Sequence, residues 1–363
     1  MSLGGSAEVQ DIRHAFMGWY DKNRRDLPWR RTTDPWAIWV SEVMLQQTRV
    51  DSVIDYYHRF LERFPTPSDM AEAELDEVLG MWAGLGYYAR ARNLHRAAQQ
   101  VVERHGGQVP NDPVEFEALT GVGRYTCGAV QSIAFGHELP VVDGNVVRVL
   151  SRLHFIAEDP AKAAVKKRFW SHAEDLVHGP RPGDLNQAIM ELGATVCTPR
   201  SPRCLLCPLM EHCVVRREGD PESVPLKKAR KARPRYRLAA GLCTDSSGAI
   251  WIGKRPTDGL LGGMWSIPMV RSNEAQFDSS LQSMGLSPLG EPVVVEHAFT
   301  HQVWEIHAYP TSGCPRSDDF VEWRQVDHRE LSQVGLDGPS LKALRALGIE
   351  VAHRRGAGRK PRN

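Results

Sequence analysis

Four cysteines in the middle of the chain have a spacing that could bind a metal. Cys197, Cys204, Cys207 and Cys213 follow one another with six, two and five intervening residues. Thiolates this closely spaced bind zinc or an iron–sulfur cluster, and disulfides are not expected without a secretion signal. Zinc sites more often pair two Cys-x-x-Cys knuckles, whereas this segment has one. The spacing therefore leaves the metal open and slightly favours a cluster.

A second motif combines a glycine turn with a carboxylate. Gly121 and Gly123 flank one apolar residue just before a predicted helix over 125–135. Such a turn leaves backbone N–H groups bare, which suits a nucleic-acid phosphate, although a plain tight turn is the alternative. Twenty residues past Gly123, an apolar run ends in Asp143-Gly-Asn145, where a further helix over 146–153 is predicted to begin.

The composition indicates a globular protein with room for two domains. The chain has 363 residues, of which 42% are hydrophobic and 25% are charged. It contains no apolar run as long as a membrane span and no signal-peptide core after Met1, so we expect a cytoplasmic protein. The net charge is +1, and residues 1–217 hold 25 basic against 27 acidic side chains. Any affinity of residues 1–217 for DNA must therefore come from the local arrangement of basic side chains rather than from net charge.

Hydrophobic periodicity divides the chain into four parts. Residues 1–217 follow a helical period, and 218–237 form a basic, proline-containing linker. Residues 238–350 change to period two, which predicts strands and one late helix, and 351–363 form a basic tail that we expect to be disordered. The predicted helices are 36–61, 70–82, 89–105, 113–119, 161–176, 184–192 and 340–347, and the predicted strands are 238–244, 249–254, 293–298, 303–309 and 321–324.

The predicted helix over 36–61 carries a polar interruption at 46–49. The interruption is either a solvated face or a break whose side chains enter a DNA base stack as a wedge.

Together these motifs resemble the helix-hairpin-helix DNA glycosylases. The glycine turn with Asp143 resembles their DNA-gripping hairpin and catalytic aspartate, and the cysteine spacing resembles the [4Fe-4S] loop of endonuclease III and MutY. The stretches Trp39 to Thr48, Gly259 to Pro268 and His297 to His301 resemble the MutY family. The resemblance implies an all-α glycosylase with an iron–sulfur loop, followed by an α+β Nudix-like domain over 238–350.

The resemblance also implies an activity. It implies a monofunctional adenine DNA glycosylase of base excision repair, which flips adenine out of a pair with 8-oxoguanine or guanine and hydrolyses its glycosidic bond. The implied cofactor is a [4Fe-4S] cluster on the four cysteines. The implied partner is double-stranded DNA, bound by a monomer.

Removal of a base requires an acid for the leaving base and a negative group for the positive sugar. Glu42 has apolar neighbours on its predicted helix, which favour the protonated acid, although by itself it could be a surface glutamate. Asp143, beside Asn145 at a helix start, is expected to stay ionised. Tyr125 occupies the position where endonuclease III-like enzymes carry a lysine nucleophile. A phenol cannot form an imine, so lyase activity is not expected.

The resemblance assigns further residues to binding. Gln187 could pair with adenine or be an ordinary helix amide. The base pocket is predicted from Arg25, Leu27, Trp29 and Gln187, and DNA contacts from Leu45, Gln47, Tyr87, Gly121, Val122, Gly123, Arg200 and Arg203.

The hairpin Phe299-Thr300-His301 is expected to recognise 8-oxoguanine. The usual family triplet is Phe-Ser-His, so Thr300 adds a methyl group; a simple surface hairpin is the alternative. No Arg-Glu-x-x-Glu-Glu helix follows Pro268, so nucleotide hydrolysis is not expected.

Two other functions stay open at this level. A bifunctional glycosylase/lyase would need an amine near position 125, and an inactive DNA-binding protein would hold Glu42 and Asp143 apart.

Overall fold

The structure, a computed structural model, describes residues 6–226, 232–245, 247–273, 276–327, 329–331 and 334–351. The predicted basic linker lies partly outside these ranges, and the predicted tail lies outside them except for Val351. None of the described helices has the length and hydropathy needed to cross a membrane.

Helices dominate the first 218 residues, as the helical period predicts. They are α1 (Ser6–Asn23), α2 (Pro35–Leu45), α3 (Val50–Arg63), α4 (Pro67–Glu72), α5 (Leu75–Trp82), α6 (Ala89–His105), α7 (Pro113–Glu117), α8 (Arg124–Phe135), α9 (Gly144–Leu153), α10 (Ala163–Val177), α11 (Pro182–Thr195) and α12 (Val214–Glu218).

Two predicted helices are each divided in the structure. The polar interruption at 46–49 separates α2 from α3, so the structure has a helix break there, while entry of these side chains into a base stack stays a prediction. The single helix predicted over 70–82 is wrong, because α4 ends at Glu72 and α5 begins at Leu75. Glu74 is extended there, with φ −66° and ψ 141°. Hydrophobic spacing did not reveal this break because apolar residues continue on both sides of it.

Helices α1, α9, α10 and α11 pack around one core. Fully buried side chains at its centre include Phe16, Leu150, Phe169 and Leu185. Tyr125 packs against the edge of the same core. The start of α8 therefore packs against the core to which α9 contributes.

The strands lie between Arg235 and Val326. They are β1 (Arg235–Cys243), β2 (Ile250–Lys254), β3 (Trp265–Ser266), β4 (Met269–Arg271), β5 (Leu286–Pro288), β6 (Val293–Ala298), β7 (Val303–Gly313) and β8 (Glu322–Val326), with α13 (Phe277–Ser283) and α14 (Gly338–Ala346) among and after them. All five predicted strands are present; β3, β4, β5 and α13 were missed, because elements this short carry almost no periodic signal.

The strands form two sheets. In the larger one, β1 lies between β4 and β7, and β7 also pairs with β5 and β6. Strands β1 and β7 are parallel, with Arg237 opposite Glu305, and the other pairs are antiparallel. In the smaller sheet, β2 lies between β3 and β8. This is the α+β architecture expected for the C-terminal part.

The backbone groups into two compact units. One comprises Met1–Ile54, Pro65–Ser68 and Ala97–Arg230, and the other comprises Asp55–Phe64, Asp69–Arg96 and Lys231–Asn363. The four-part division drawn from the sequence stays a prediction.

Candidate active site

Helix α2 carries Glu42 into an apolar environment. Its start is fixed by Asp34, whose carboxylate accepts hydrogen bonds from the N–H groups of Trp36 and Ala37. Every residue from Trp36 to Met44 is buried. Glu42 is only 6% exposed, so its carboxyl group has lost most of its contact with water.

Burial is the main influence on the acidity of Glu42. It raises the pKa of Glu42 to about 7, with a further rise from the charge of Asp143 and opposing effects from Tyr125 and Arg30. Tyr125 Oη donates a hydrogen bond of 2.8 Å to Glu42 Oε2. Burial raises the pKa of Tyr125 well above its ordinary value, so the phenol is neutral. A substantial fraction of Glu42 is therefore protonated at neutral pH, as a general acid requires.

Asp143 caps the N-terminus of α9. Its carboxylate accepts hydrogen bonds from the backbone N–H groups of Asn145 and Val146, at 2.9 and 2.7 Å, and from the Asn145 side-chain amide at 2.9 Å. Burial raises the pKa of Asp143 and outweighs these three donors, each of which lowers it. The donors nevertheless stabilise the ionised form and fix both oxygens in place.

One cavity of about 640 Å³ brings both carboxylates together. Its volume lies within the usual range for small-ligand sites. Most sequence-predicted site residues of the first unit line it, namely Arg25, Leu27, Trp29, Glu42, Leu45, Gln47, Gly121, Gly123, Tyr125, Asp143, Asn145 and Gln187. Val122 is buried and is not one of the residues that line it.

Sequence reasoning missed Arg30 and Glu191, which also line the cavity. The Glu191 side chain is 1% exposed and accepts hydrogen bonds of 2.8 Å from both Arg25 and Arg30. Although burial alone would raise the pKa of Glu191, these arginines lower it to about 2. Glu191 lies one helical turn after Gln187, and this spacing was the available signal.

The glycine hairpin leads directly into α8. Gly121 has φ +79°, a left-handed conformation that favours glycine. Gly123 is the N-cap of α8 and supplies no side-chain cap. A Cβ added at Gly123 would meet no atom within 4 Å. The first N–H groups of α8 are therefore open to an anion.

Two predicted DNA-contacting residues have strained backbones. Gln47 and Tyr87 have φ +60° and +51°. Residues other than glycine, asparagine and aspartate seldom adopt this left-handed backbone conformation. Gln47 is exposed between α2 and α3, and Tyr87 is 44% exposed. Strain of this kind often occurs where a side chain is held for function.

The hairpin between β6 and β7 presents two polar side chains. Phe299 packs against His297 and Trp304, with ring centroids 4.6 and 4.8 Å apart. Thr300 and His301 are exposed at the tip. The hydroxyl groups of Thr300 and Tyr87 lie 2.5 Å apart. Phe299 thus anchors the turn, while Thr300, hydrogen-bonded to Tyr87, and His301 lie at the exposed tip.

The four cysteines line one small cavity after α11. Arg152 Nη1 donates to Cys197 Sγ at 3.3 Å, and Cys213 Sγ lies 3.4 Å from the carbonyl oxygen of Arg152. Burial, together with the neighbouring cysteine sulfurs, raises the pKa of Cys207 to about 12. Four thiolates this close require a strongly cationic group to hold them ionised.

The donor set of four cysteine sulfurs fits an iron–sulfur cluster. A cubic cluster is larger than an ion and is held by four thiolates, one on each iron. Cys197, Cys204, Cys207 and Cys213 would hold it, and Arg200 and Arg203 are exposed on the enclosed loop.

Three family models match segments of the chain. Residues 40–175 match the HhH-GPD superfamily of base excision DNA repair proteins, and 197–213 match the iron–sulfur binding domain of endonuclease III. Residues 239–346 match the NUDIX domain family. The site carries the [4Fe-4S] cluster of these relatives, and the alternative of a zinc site is not supported.

Two adenine DNA glycosylases and a thymine-DNA glycosylase of solved structure are among the proteins similar to this chain. The adenine DNA glycosylase of Homo sapiens is 39% identical over 81% of this chain and 66% of its own length. That of Rattus norvegicus is 36% identical over 96% of this chain and 80% of its own. A solved thermostable thymine-DNA glycosylase superimposes with a TM-score of 0.54 and 31% identity, covering 58% of this chain and 98% of that one. The chain therefore belongs to the adenine DNA glycosylase family of glycosyl-bond hydrolases that act on DNA.

Proposed function

We propose that this chain excises adenine mispaired with 8-oxoguanine or guanine, by hydrolysing the glycosidic bond after the base has been flipped out of the duplex. The observation that carries the proposal is the pair of carboxylates in one cavity, of which Glu42 has a pKa of about 7. A flipped base needs such a cavity because its reactive atoms are hidden in the duplex.

Glu42 and Asp143 have different roles in the proposed reaction. Protonated Glu42 gives its proton to the leaving adenine, which makes the base a better leaving group. The Asp143 carboxylate then stabilises the positive charge that develops on the sugar, or bonds covalently to it, and water completes the hydrolysis. Asn145 supports this role through its two hydrogen bonds to Asp143.

The cavity wall provides adenine recognition. The Gln187 side chain can donate to and accept from the adenine edge, as glutamine does when it reads adenine. Leu27 and Trp29, each 6% exposed, offer apolar surface for the ring. Arg25 is held by Glu191 at the wall, where its guanidinium can meet the base or its phosphate.

Tyr125 makes the reaction monofunctional. A lysine here could attack the sugar and form an imine that leads to strand cleavage, whereas a phenol cannot. The Tyr125 hydroxyl instead holds Glu42 at 2.8 Å. Release of adenine should therefore leave an abasic site in an intact strand.

Several surfaces are suited to the duplex. The open N–H groups of the hairpin at Gly121 to Gly123 suit a phosphate, as do the exposed guanidinium groups of Arg200 and Arg203. Gln47 and Tyr87 are suited to enter the stack left by the flipped adenine.

The exposed pair Thr300 and His301 is proposed to recognise 8-oxoguanine. Adenine is a normal base, so the enzyme must sense what lies opposite it, and a cavity holding only adenine cannot do so. The threonine hydroxyl and the imidazole can hydrogen-bond an altered base edge. Tyr87, within hydrogen-bonding distance of Thr300, is suited to the same contact.

A nicking assay tests the proposal directly. A duplex labelled on the adenine strand and containing A opposite 8-oxoguanine is incubated with the full chain, then analysed with and without hot alkali. We expect cleavage only after alkali, and none for Glu42→Gln, whereas Glu158→Gln at an exposed ion pair should behave as wild type. Cleavage without alkali, with an adduct trapped by borohydride, would support the bifunctional alternative. No cleavage in either arm would refute glycosylase activity.

A further inference from the structure

Arg90 lies directly after the loop that presents Tyr87. The loop joins α5 to α6, and Arg90 is the second residue of α6. Gly86 and Tyr87 have φ +73° and +51°, so two successive residues of the loop are in the left-handed region. An aromatic residue keeps this backbone conformation only where the surrounding structure holds it.

The Arg90 guanidinium binds the backbone of this loop. Arg90 Nη2 donates to the carbonyl oxygen of Gly86 at 3.0 Å and, more weakly, to that of Leu85 at 3.4 Å. Trp82 Nε1 donates to the same Gly86 oxygen at 3.2 Å. Hydrogen bonds from a charged donor are stronger than those between neutral groups. Arg90 and Trp82 therefore fix the peptide group that joins Gly86 to Tyr87.

The same guanidinium lies near two aromatic rings. Arg90 Cζ is 5.4 Å from the centroid of the Trp82 ring and 5.4 Å from that of the Tyr87 ring. Both distances are within the range of a cation–π interaction. Trp82 is fully buried, whereas Tyr87 is exposed. Arg90 thus connects an exposed ring to one that is held in the core.

The position of Arg90 is unfavourable for a positive charge. A basic side chain in the first turn of a helix is close to the positive end of the helix dipole. Burial lowers the pKa of Arg90 to about 10, so the group is still charged at neutral pH. The loop carbonyl groups and the two rings replace part of the water that the guanidinium has lost. Arg90 is therefore better suited to holding the loop than to stabilising α6.

We propose that Arg90 is a positioning residue for Tyr87, and that it holds the strained loop so that the tyrosine ring already has the orientation in which it meets DNA. This inference rests on the proposed function, in which Tyr87 enters the base stack. The Tyr87 hydroxyl also lies 2.5 Å from that of Thr300, so contacts at the ring and at the hydroxyl set its direction. A side chain that is ordered in advance loses less conformational freedom when the duplex binds.

A double-mutant cycle tests this role. Wild type, Arg90→Met, Tyr87→Ala and the double variant are compared by single-turnover excision from an A:8-oxoguanine duplex at saturating enzyme. Methionine keeps much of the apolar length of Arg90 and has no donor. We expect Arg90→Met to lower the rate about tenfold, but to change it less than about twofold when residue 87 is already alanine. A residue that acts through Tyr87 has no effect once that side chain is gone.

Two further variants separate this role from a loss of charge or of stability. Arg90→Lys keeps the charge but not the planar guanidinium, so its rate should be within about twofold of the Arg90→Met rate. Arg104→Met, at an exposed arginine near the end of α6, is the matched control and should excise as wild type. Thermal unfolding of each variant verifies that the fold is intact. Full activity of Arg90→Lys, an equal loss in Arg104→Met, or the same fold-loss with and without the Tyr87 side chain would overturn the proposal.

Hydrogen exchange without DNA separates this inference from the proposed function. The Leu85 amide donates to the carbonyl oxygen of Trp82 at 3.1 Å, within the loop. Its exchange should be about tenfold faster in Arg90→Met, while the amides of α8 exchange as in wild type. Unchanged exchange at Leu85 would show that Arg90 does not hold the loop, whatever the activity.

The two experiments together identify which idea fails. Faster exchange at Leu85 in Arg90→Met, combined with no adenine release by wild type, would support the contact with the loop and refute the proposed function. If wild type releases adenine and Tyr87→Ala is equally fast, Tyr87 has no role for which it must be positioned, and the inference about Arg90 is overturned while the glycosylase activity stands.

Discussion

Tyr125 donates a hydrogen bond of 2.8 Å to Glu42, although the two residues lie 83 positions apart in the chain. The bond joins a helix that begins at the glycine hairpin to a helix buried in the core. It holds the proposed acid in the cavity and moderates its pKa, because a donor stabilises the ionised carboxylate.

Removal of this donor should change the pH dependence of excision. Glu42 must be protonated to act, so the single-turnover rate of wild type should fall as pH rises through about 7. Tyr125→Phe removes an interaction that lowers the pKa of Glu42, so the alkaline limb should move to higher pH. Tyr309→Phe, at a phenol in the other unit, is the control. An unchanged pH profile of the Tyr125→Phe excision rate would show that this hydrogen bond does not affect the acidity of Glu42.

Glu191 should act as a positioning residue. Glu191→Gln leaves Arg25 and Arg30 without their carboxylate, and loss of one partner of a buried ion pair costs about 3 to 5 kcal/mol. We expect a loss of stability at the lower end of this range, because the Arg25 side chain is 39% exposed. Chemical unfolding measures this cost. KM should rise more than kcat falls, because the arginines shape the wall rather than transfer protons. Glu103→Gln, at an exposed glutamate, should change neither quantity.

The hairpin at Thr300 should set the preference for the opposite base. Thr300→Ala combined with His301→Ala should lower the ratio of excision rates for A:8-oxoguanine over A:G, while A:G excision continues. A good bidentate contact with a base edge is worth roughly 1 to 3 kcal/mol of discrimination, and the two side chains together offer a contact of this kind. Single-turnover rates on the two duplexes provide the ratio. If the ratio stays at its wild-type value, the hairpin has no part in reading the lesion.

The iron content of the purified protein should depend on the four clustered cysteines. Anaerobically purified protein should contain about four irons and absorb broadly near 400 nm, because thiolates ligate each iron of a cubic cluster. Cys207→Ser should lose most of this iron and absorbance. Cys314→Ser is the matched control, since Cys314 is exposed and lies outside the cluster segment. Stoichiometric zinc without iron in wild type would contradict the cofactor assignment.

His154 should make the fold sensitive to acid. Burial, with the nearby His172 and Arg168, lowers the pKa of His154 to about 3. In the unfolded chain the His154 imidazole takes up a proton near pH 6.5, whereas in the folded chain it stays neutral down to about pH 3. The free energy of unfolding should therefore fall as pH drops from about 6.5 towards 3. His154→Phe keeps a ring stacked on His172 and should fall less steeply. Exposed His58→Phe should follow wild type, and identical slopes in all three proteins would exclude His154 as the cause.

Local sequence determined much of this protein. The cysteine spacing predicted the metal loop because all four ligands lie within one short segment. The polar residues at 46–49 indicated an interruption of the helical pattern, where the structure separates α2 from α3, and the change from helical to period-two spacing predicted where strands begin. These features depend on neighbours in the chain, and periodicity and turn chemistry report such neighbours well.

Tertiary structure alone decided the properties that depend on distant residues. Glu42 and Asp143 were identified from their motifs, but their shared cavity and the pKa of about 7 for Glu42 come from burial and from contacts across the fold. The low pKa and the proposed positioning role of Glu191 depend on Arg25 and Arg30, which lie more than 160 positions away in the chain. Desolvation and ion pairing depend on which groups surround a side chain in space, and only packing brings those groups together.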